Sequence, residues 1–416
     1  MAKRLLVIYL FLFVFSLTIP IFYHSAFLVG FISFVHLITV SNFNYRHVSK
    51  YVGSFLFLTG IGYILVIFIS IYYETYDFSF LKTYTNNFLS SLCAIPLAQL
   101  FVLYYKKDAY DQICKSLFYV FFIQSLIIIV VLLLPFLKPI VQVFHRNAEL
   151  AMQADVFSSG IRTNALSGGL FFGLTISFSI ALIIYFHYYM NQPIKRILAK
   201  DFAKFSIVNI GMLISGRFGA VYLFSLLFMK LFSLRVLSKL RTVFLWSFLT
   251  IIFAVFYVSI FSVDLSFLYE NNISTYVLEF IENGAESQST NRLLEMYQVN
   301  FPLADVLLGT GHYTNLDGSY YQHIDVGYFR VLLFGGIPFL LFSILFTLNL
   351  LSPILKANNI PSAKSLWMSL VVFFFLSSFK GEVMVTMVSV NSTLFLFCLI
   401  ISLTNKKFYH EPNAVT

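Results

Sequence analysis

Arg217, Arg292, Arg330 and His323 are the side chains in this sequence whose types and placement best suit chemistry. Three of them lie in one polar island, Asn291–Leu341, which also carries Asp305, Gly309, Gly311, His312, Asp317 and Asp325 and then runs straight into an apolar segment. Arg217 stands apart, in ISGRFGAVY between two apolar runs. A guanidinium grips phosphate in a bidentate fork and does not lose its charge. A histidine titrates near neutrality and serves as acid, base or phosphate partner. The set therefore points to a substrate with phosphate charges. Arg330 lies about one turn inside the apolar run, and a helix beginning at His323 would put both on one face. Snorkelling to lipid phosphate is the plainer role for Arg330, and capping the following helix is the plainer role for Asp325.

Other chemistries find no support in the residue patterns. There is no Ser/His/Asp arrangement, no HExxH and no His/Cys/carboxylate cluster, so neither a metal nor a cofactor is expected. Gly309 and Gly311 lack the third glycine, the lysine and the Ser/Thr of nucleotide-binding loops. They read as a turn that brings the loop back, with His312 a loop histidine. Glu279 and Glu282 fall on a solvated face, and Lys380 and Glu382 flank Gly381 in a turn between two apolar runs.

What must position these residues is a membrane protein. The chain is 59% hydrophobic, 19% aromatic and 11% charged, with mean hydropathy +0.85, more apolar surface than a water-soluble domain can hide. Its apolar runs are continuous rather than alternating, so the spans are helices and a β-barrel is excluded. The expected fold is an all-α integral membrane protein of about twelve transmembrane helices, near 5–22, 26–40, 51–72, 88–105, 117–137, 166–188, 204–216, 218–234, 242–262, 326–348, 365–380 and 383–403. This divides the chain into an N-terminal bundle (1–262), one large external loop (263–325), C-terminal spans (326–403) and a cytoplasmic tail (404–416). The basic, apolar N-terminus has no small-x-small cleavage site and is expected to stay as the first helix.

With both termini cytoplasmic, most of the 27 Lys+Arg fall in inner segments, Lys3, Arg4, Lys106, Lys107, Lys195, Arg196 and Lys406 among them. Most of the 18 acids fall outside. That is the positive-inside pattern, and it accounts for the net charge of +9 without a nucleic-acid partner. Splitting the region before Arg235 into two short spans keeps Lys230, Arg235, Lys239 and Arg241 inside and leaves Arg217 at the outer rim. Cys93, Cys114 and Cys398 have neither paired nor metal-ligand spacing. Among the outer segments, 73–87, with Glu74, Asp77 and Lys82, reads as a simple solvated loop, and 262–325 is much the longest connection.

Together the span order, the large loop before the last three spans, Ser215-Gly216-Arg217 between two short spans, an arginine followed by an apolar-spaced run to Leu-Leu-Gly-Thr-Gly (307–311), and HIDVGYFRVLLFGGIPFLL resemble the O-antigen polymerase (Wzy) and O-antigen ligase superfamily. A typical return of the chain in that family reads His-Asn-x-Tyr-Leu before a span with Gly-Ile-x-Gly. Here His323, Ile324, Asp325, Tyr328 and Gly336-Ile337 occupy that line, without the asparagine and with Pro338 inside the glycine pattern. The resemblance implies a metal-independent, inverting glycosyltransferase at the outer face of the bacterial cytoplasmic membrane. Its partners would be a polyprenyl-diphosphate-linked oligosaccharide, membrane lipid and a chain-length regulator protein. It further implies that Arg217 and Arg292 stabilise the diphosphate leaving group and that His323 assists as base or phosphate contact. Arg330 and Asp325 join as substrate-binding residues on their position alone. The alternatives are a ligase passing the glycan to another acceptor and, in a different class, a flippase for the same lipid-linked sugars.

Overall fold

The computed structural model describes residues 2–19, 22–40, 49–145, 166–168, 171–191, 199–223, 225–226, 288–315 and 317–405. Among them the structure is almost entirely helical and holds no strand beyond the single bridge Thr314–Tyr320. Its α-helices longer than five residues are α1 (Ala2–Phe15), α2 (Ser25–Val40), α3 (Ser49–Tyr72), α4 (Ser79–Tyr105), α5 (Ala109–Leu133), α6 (Phe171–Met190), α7 (Ala199–Ser215), α8 (Gln288–Gln298), α9 (Leu303–Leu308), α10 (Gly327–Leu355), α11 (Ala363–Ser378) and α12 (Val388–Thr404). Among the described residues, four helical stretches are long and apolar enough to cross a membrane: Lys50–Tyr72, Ser79–Leu133, Phe171–Met190 and Gly327–Leu355. The second is broken by a 3-10 turn at Lys106–Asp108, which separates α4 from α5. Shorter apolar helices complete the bundle, and the whole fits a multi-pass membrane protein. The spans expected at 218–234 and 242–262 lie mostly or wholly outside the described residues, as does the loop from 263 to 287.

Several helix ends differ from the hydropathy reading: α1 stops at Phe15 rather than near 22, α5 starts at Ala109 rather than near 117, and two further ends have a visible physical reason. α4 starts at Ser79 rather than near 88, although its first turns are polar, because those polar groups face protein instead of lipid. Asn87 is buried and its Nδ2 donates to the Val385 carbonyl at 2.6 Å. Conversely, the span expected from 383 begins as a helix only at Val388, because residues 382–387 fold into an irregular cap over the end of the bundle. α12 behind it is buried nearly all round, with Phe395 against Phe55 of α3 at 4.4 Å between ring centroids. In lipid such packing depends on van der Waals fit rather than on expelling water.

The helix that carries Arg330 is broken, and the break positions the site. In α10, Gly335 (φ −137°) and Gly336 (φ 66°) leave helical geometry just before Pro338. Pro338 has no N–H, so the carbonyl of Phe334 loses its donor from four residues on. The loop after α9 supplies replacements. Gly311 N donates to Phe334 O at 3.0 Å, and Thr310 donates to Leu333 O through N at 2.6 Å and through Oγ1 at 2.9 Å. Gly309 (φ +85°) and Gly336 face each other so closely that a Cβ on Gly309 would lie 2.7 Å from Gly335 Cα and Gly336 N. The glycine turn read from the sequence is thus a plug for a kinked helix.

Candidate functional site

The loop 309–325 is held from below by Asp77, in the connection between α3 and α4. Its Oδ2 accepts from the backbone N–H groups of Tyr313 and Thr314 at 2.7 Å each, while Oδ1 accepts from Ser79 N at 3.0 Å. Partial burial pushes the Asp77 carboxyl up, but the N–H donors of Thr314, Ser79 and Tyr313 outweigh it, and the group sits below its ordinary value. Thr75 Oγ1 adds a bond to Gly311 O at 2.8 Å and Tyr73 Oη one to Leu308 O at 3.0 Å. The segment 73–87 is therefore no simple solvated loop.

So anchored, the loop presents two tyrosines to Arg330. The guanidinium carbon lies 3.6 Å from the ring centroid of Tyr320 and 4.4 Å from that of Tyr313. Tyr313 is buried and stands edge-on to Phe80, which stacks on Phe334 at 5.1 Å with 7° between the rings. Arg330 itself is buried, 9% exposed, and its Nε has no hydrogen-bond partner. A desolvated cation–π contact is worth about 2 kcal/mol. A buried donor left unpaired costs about 1–3 kcal/mol, a cost that a bound anion would relieve.

Two carboxylates face this cation differently. Glu382 is buried, and its Oε atoms accept from the N–H groups of Val385 (2.9 Å) and Thr386 (3.1 Å). Burial raises its titration above the ordinary carboxylate range, against the pull of Val385 N–H and of the Arg330 charge. Asp325 lies 3.9 Å from Arg330 Nη1 and its side chain is 56% exposed. Crowding by the surrounding protein pushes its carboxyl up to about 6, and Arg330 and Lys380 draw it back only in part.

Scanned against family models, characterised proteins and solved structures, the chain matches none.

The elements bearing the expected site residues converge on this end of the bundle. Arg217 opens the 3-10 turn Arg217–Val221, whose Phe218 ring lies 5.7 Å from Phe172 at the start of α6 and 5.6 Å from Lys380 Nζ. Arg292 belongs to α8, one turn before Met296. The Asp325 N–H donates to Met296 Sδ at 3.4 Å, and Tyr297 Oη donates to Phe379 O at 2.6 Å at the end of α11. Ile324, Val326 and Leu333 form a small apolar cluster with Leu293, Met296 and Phe329 that fastens α8 to α10. The side chains of Arg217 and Arg292 lie outside what is described.

Two sequence expectations fail here. α10 begins at Gly327, so His323 is not on its first turn and shares no helical face with Arg330. His323 sits instead in the 3-10 turn Tyr321–His323, where Gln322 (φ 54°) and His323 (φ 58°) are both left-handed. Each such non-glycine residue is strained, and the Asn315 side chain holds the turn by accepting from Gln322 N and donating to Tyr320 O. The His323 ring lies by Ser319, Nδ1 to Oγ 3.4 Å. Nor is Asp325 the helix cap, since Val326 takes that position and no side chain caps it. His312 stacks on Tyr321 at 4.9 Å, a loop contact. Sequence reading missed Asp77, Tyr313, Tyr320 and Glu382. Only Glu382, a lone acid between apolar runs, carried any signal.

Proposed function

We propose that the chain is a glycosyltransferase that joins polyprenyl-diphosphate-linked oligosaccharide repeat units into a polysaccharide at the outer face of the cytoplasmic membrane. The observation that carries this reading is Arg330: a buried guanidinium, walled by two tyrosines, with an unpartnered Nε at the same end of the bundle as the elements bearing Arg217, Arg292 and His323. Cations at the rim of a helical bundle suit a diphosphate carried at headgroup depth. Tyr320, 42% exposed, offers an aromatic surface against which a sugar ring packs. The family resemblance of the sequence supports the same reading.

In this reading an acceptor hydroxyl attacks the anomeric carbon, the bond to the diphosphate breaks with inversion, and its electron pair leaves with the diphosphate. Arg217, Arg292 and Arg330 stabilise that charge in a partly water-excluded setting, where fixed cations act most strongly. His323 completes the set that meets the sugar phosphate, and Asp325 lies beside it on the sugar side.

The test is to supply purified protein in vesicles with lipid-linked repeat units alone. Chain growth is expected, because no second acceptor type is needed. Transfer only after a different acceptor is added would make the enzyme a ligase, and translocation without a new glycosidic bond would replace it with a flippase. Arg217→Ala and Arg292→Ala should each abolish polymer with membrane protein levels intact. Wild-type chain lengths in both would rule out their phosphate role.

A further inference from the structure

We infer that Asp325 is the general base of this site, the group that takes the proton from the acceptor hydroxyl. The inference rests on the glycosyl-transfer reading above. Inverting transfer to an alcohol needs a proton acceptor beside the attacking oxygen. Among the described residues, Asp325 is the carboxylate that pairs with the site's buried guanidinium, at 3.9 Å from Arg330 Nη1.

Glu382 faces the same guanidinium, but it is buried and its oxygens are occupied by the N–H groups of Val385 and Thr386. Its carboxylate holds the cap at residues 382–387. Asp77 accepts three backbone N–H bonds and one hydroxyl and holds the loop up from beneath. Asp317 accepts from Ser319 through N and Oγ at the tip of the loop. Asp325 differs from all three. Its carboxylate has no hydrogen-bond donor among the described residues, only the long pair with Arg330 at 3.9 Å, and more than half of the side chain is open to the outside. Its backbone is fixed on both sides, by the Met296 contact to α8 and by Val326 at the start of α10.

Around it stand Arg330 from α10, Lys380 from the turn after α11 and Tyr320 from the loop, while α8 contributes the Met296 thioether. The two cations keep the carboxylate ionised near neutral pH, and the surrounding protein keeps it basic enough to accept a proton. His323, the other candidate, is turned toward Ser319 by its left-handed backbone. In the step itself the acceptor O–H proton passes to Asp325 Oδ as the oxygen bonds to the anomeric carbon. The carbon–oxygen bond to the diphosphate breaks, and the proton later leaves Asp325 to water. Charge and atoms balance without a metal or redox partner.

The experiment measures polymerisation by the full-length protein in vesicles, with synthetic lipid-diphosphate-linked repeat units, between pH 5 and 8. The wild-type rate is expected to fall below about pH 6 with a slope of one proton. Asp325→Asn should lower kcat by about 100-fold or more, abolish that acid limb and leave KM within about threefold. Asp325→Glu, which keeps the base, should retain the limb at reduced rate, and formate should restore part of the rate of Asp325→Ala. Glu and formate keep the proposal open to refutation if the Asn variant folds poorly. An Asp325→Asn enzyme within about threefold of wild type with its acid limb intact overturns the assignment, as does loss of the limb in His323→Gln. Failure of the wild type to make polymer at any pH would instead remove the glycosyl-transfer reading and this assignment with it.

Discussion

Asp77 and Arg330 show how differently two charged residues reveal themselves. Arg330 was visible in the sequence because a charge inside an apolar run is costly and demands a reason. Asp77 was not, because an acid in a short polar connection is ordinary, and its partners Tyr313 and Thr314 lie some 236 positions away. Tyr313 and Tyr320 were equally hidden among 26 tyrosines, where nothing local marks the two that face a cation. Replacing Asp77 by alanine removes the carboxylate from three backbone donors and one hydroxyl, which should cost about 2–3 kcal/mol. The pH dependence gives a sharper check. Because the folded Asp77 titrates below its ordinary value, its contribution is complete above about pH 4, the unfolded value, and fades as pH falls through the lower folded one. Thermal midpoints of wild type and Asp77→Ala should therefore differ at pH 7 and converge in acid. A constant gap down to pH 3 would exclude the proposed role of its charge.

At the scale of elements, hydropathy located the cores of the helices and misplaced their ends. A buried polar turn such as 79–87 looks like a loop when lipid is assumed to be its surroundings. An apolar stretch such as 383–387 looks helical, although the Glu382 carboxylate draws its backbone N–H groups into a cap. The kink in α10 was half legible, since two glycines and a proline announce a break but not what fills it. Gly336→Ala tests the filling directly. The new methyl would overlap the carbonyls of Leu307 and Leu308 and force a side chain to φ 66°, so a loss of at least about 2 kcal/mol is expected. Gly60→Ala in α3 meets open space and should be neutral or stabilising by up to about 1 kcal/mol. Equal thermal midpoints for the two variants would contradict the interlocked turn.

At the scale of the whole molecule, the membrane class was legible from composition alone, because no folded shape hides so much apolar surface from water. The distribution of charge adds an expectation of sides, with the termini cytoplasmic. Leu294 of α8, beside the start of α10, and Lys356, after its last residue, are both exposed, 55% for the former. A cysteine at 294 should react with an impermeant maleimide in intact cells, and one at 356 only after the membrane is opened. Of the native cysteines, Cys114 and Cys398 are buried, and Cys93, half-buried within α4, is replaced by serine for the labelling. The reverse labelling pattern would invert the orientation and take the proposed outer-face chemistry with it.

The plug in α10 bears on how such a protein can change over generations. Its register is fixed chiefly by main-chain donors at Thr310 and Gly311 on the carbonyls of Leu333 and Phe334, with Gly309 and Gly311 held to glycine by the close approach. Between that clasp and the start of α10, mutations can rewrite much of the segment without detaching it from the bundle. A scaffold fastened in this way lets its grip on a ligand drift quickly while the helices beneath it stay the same.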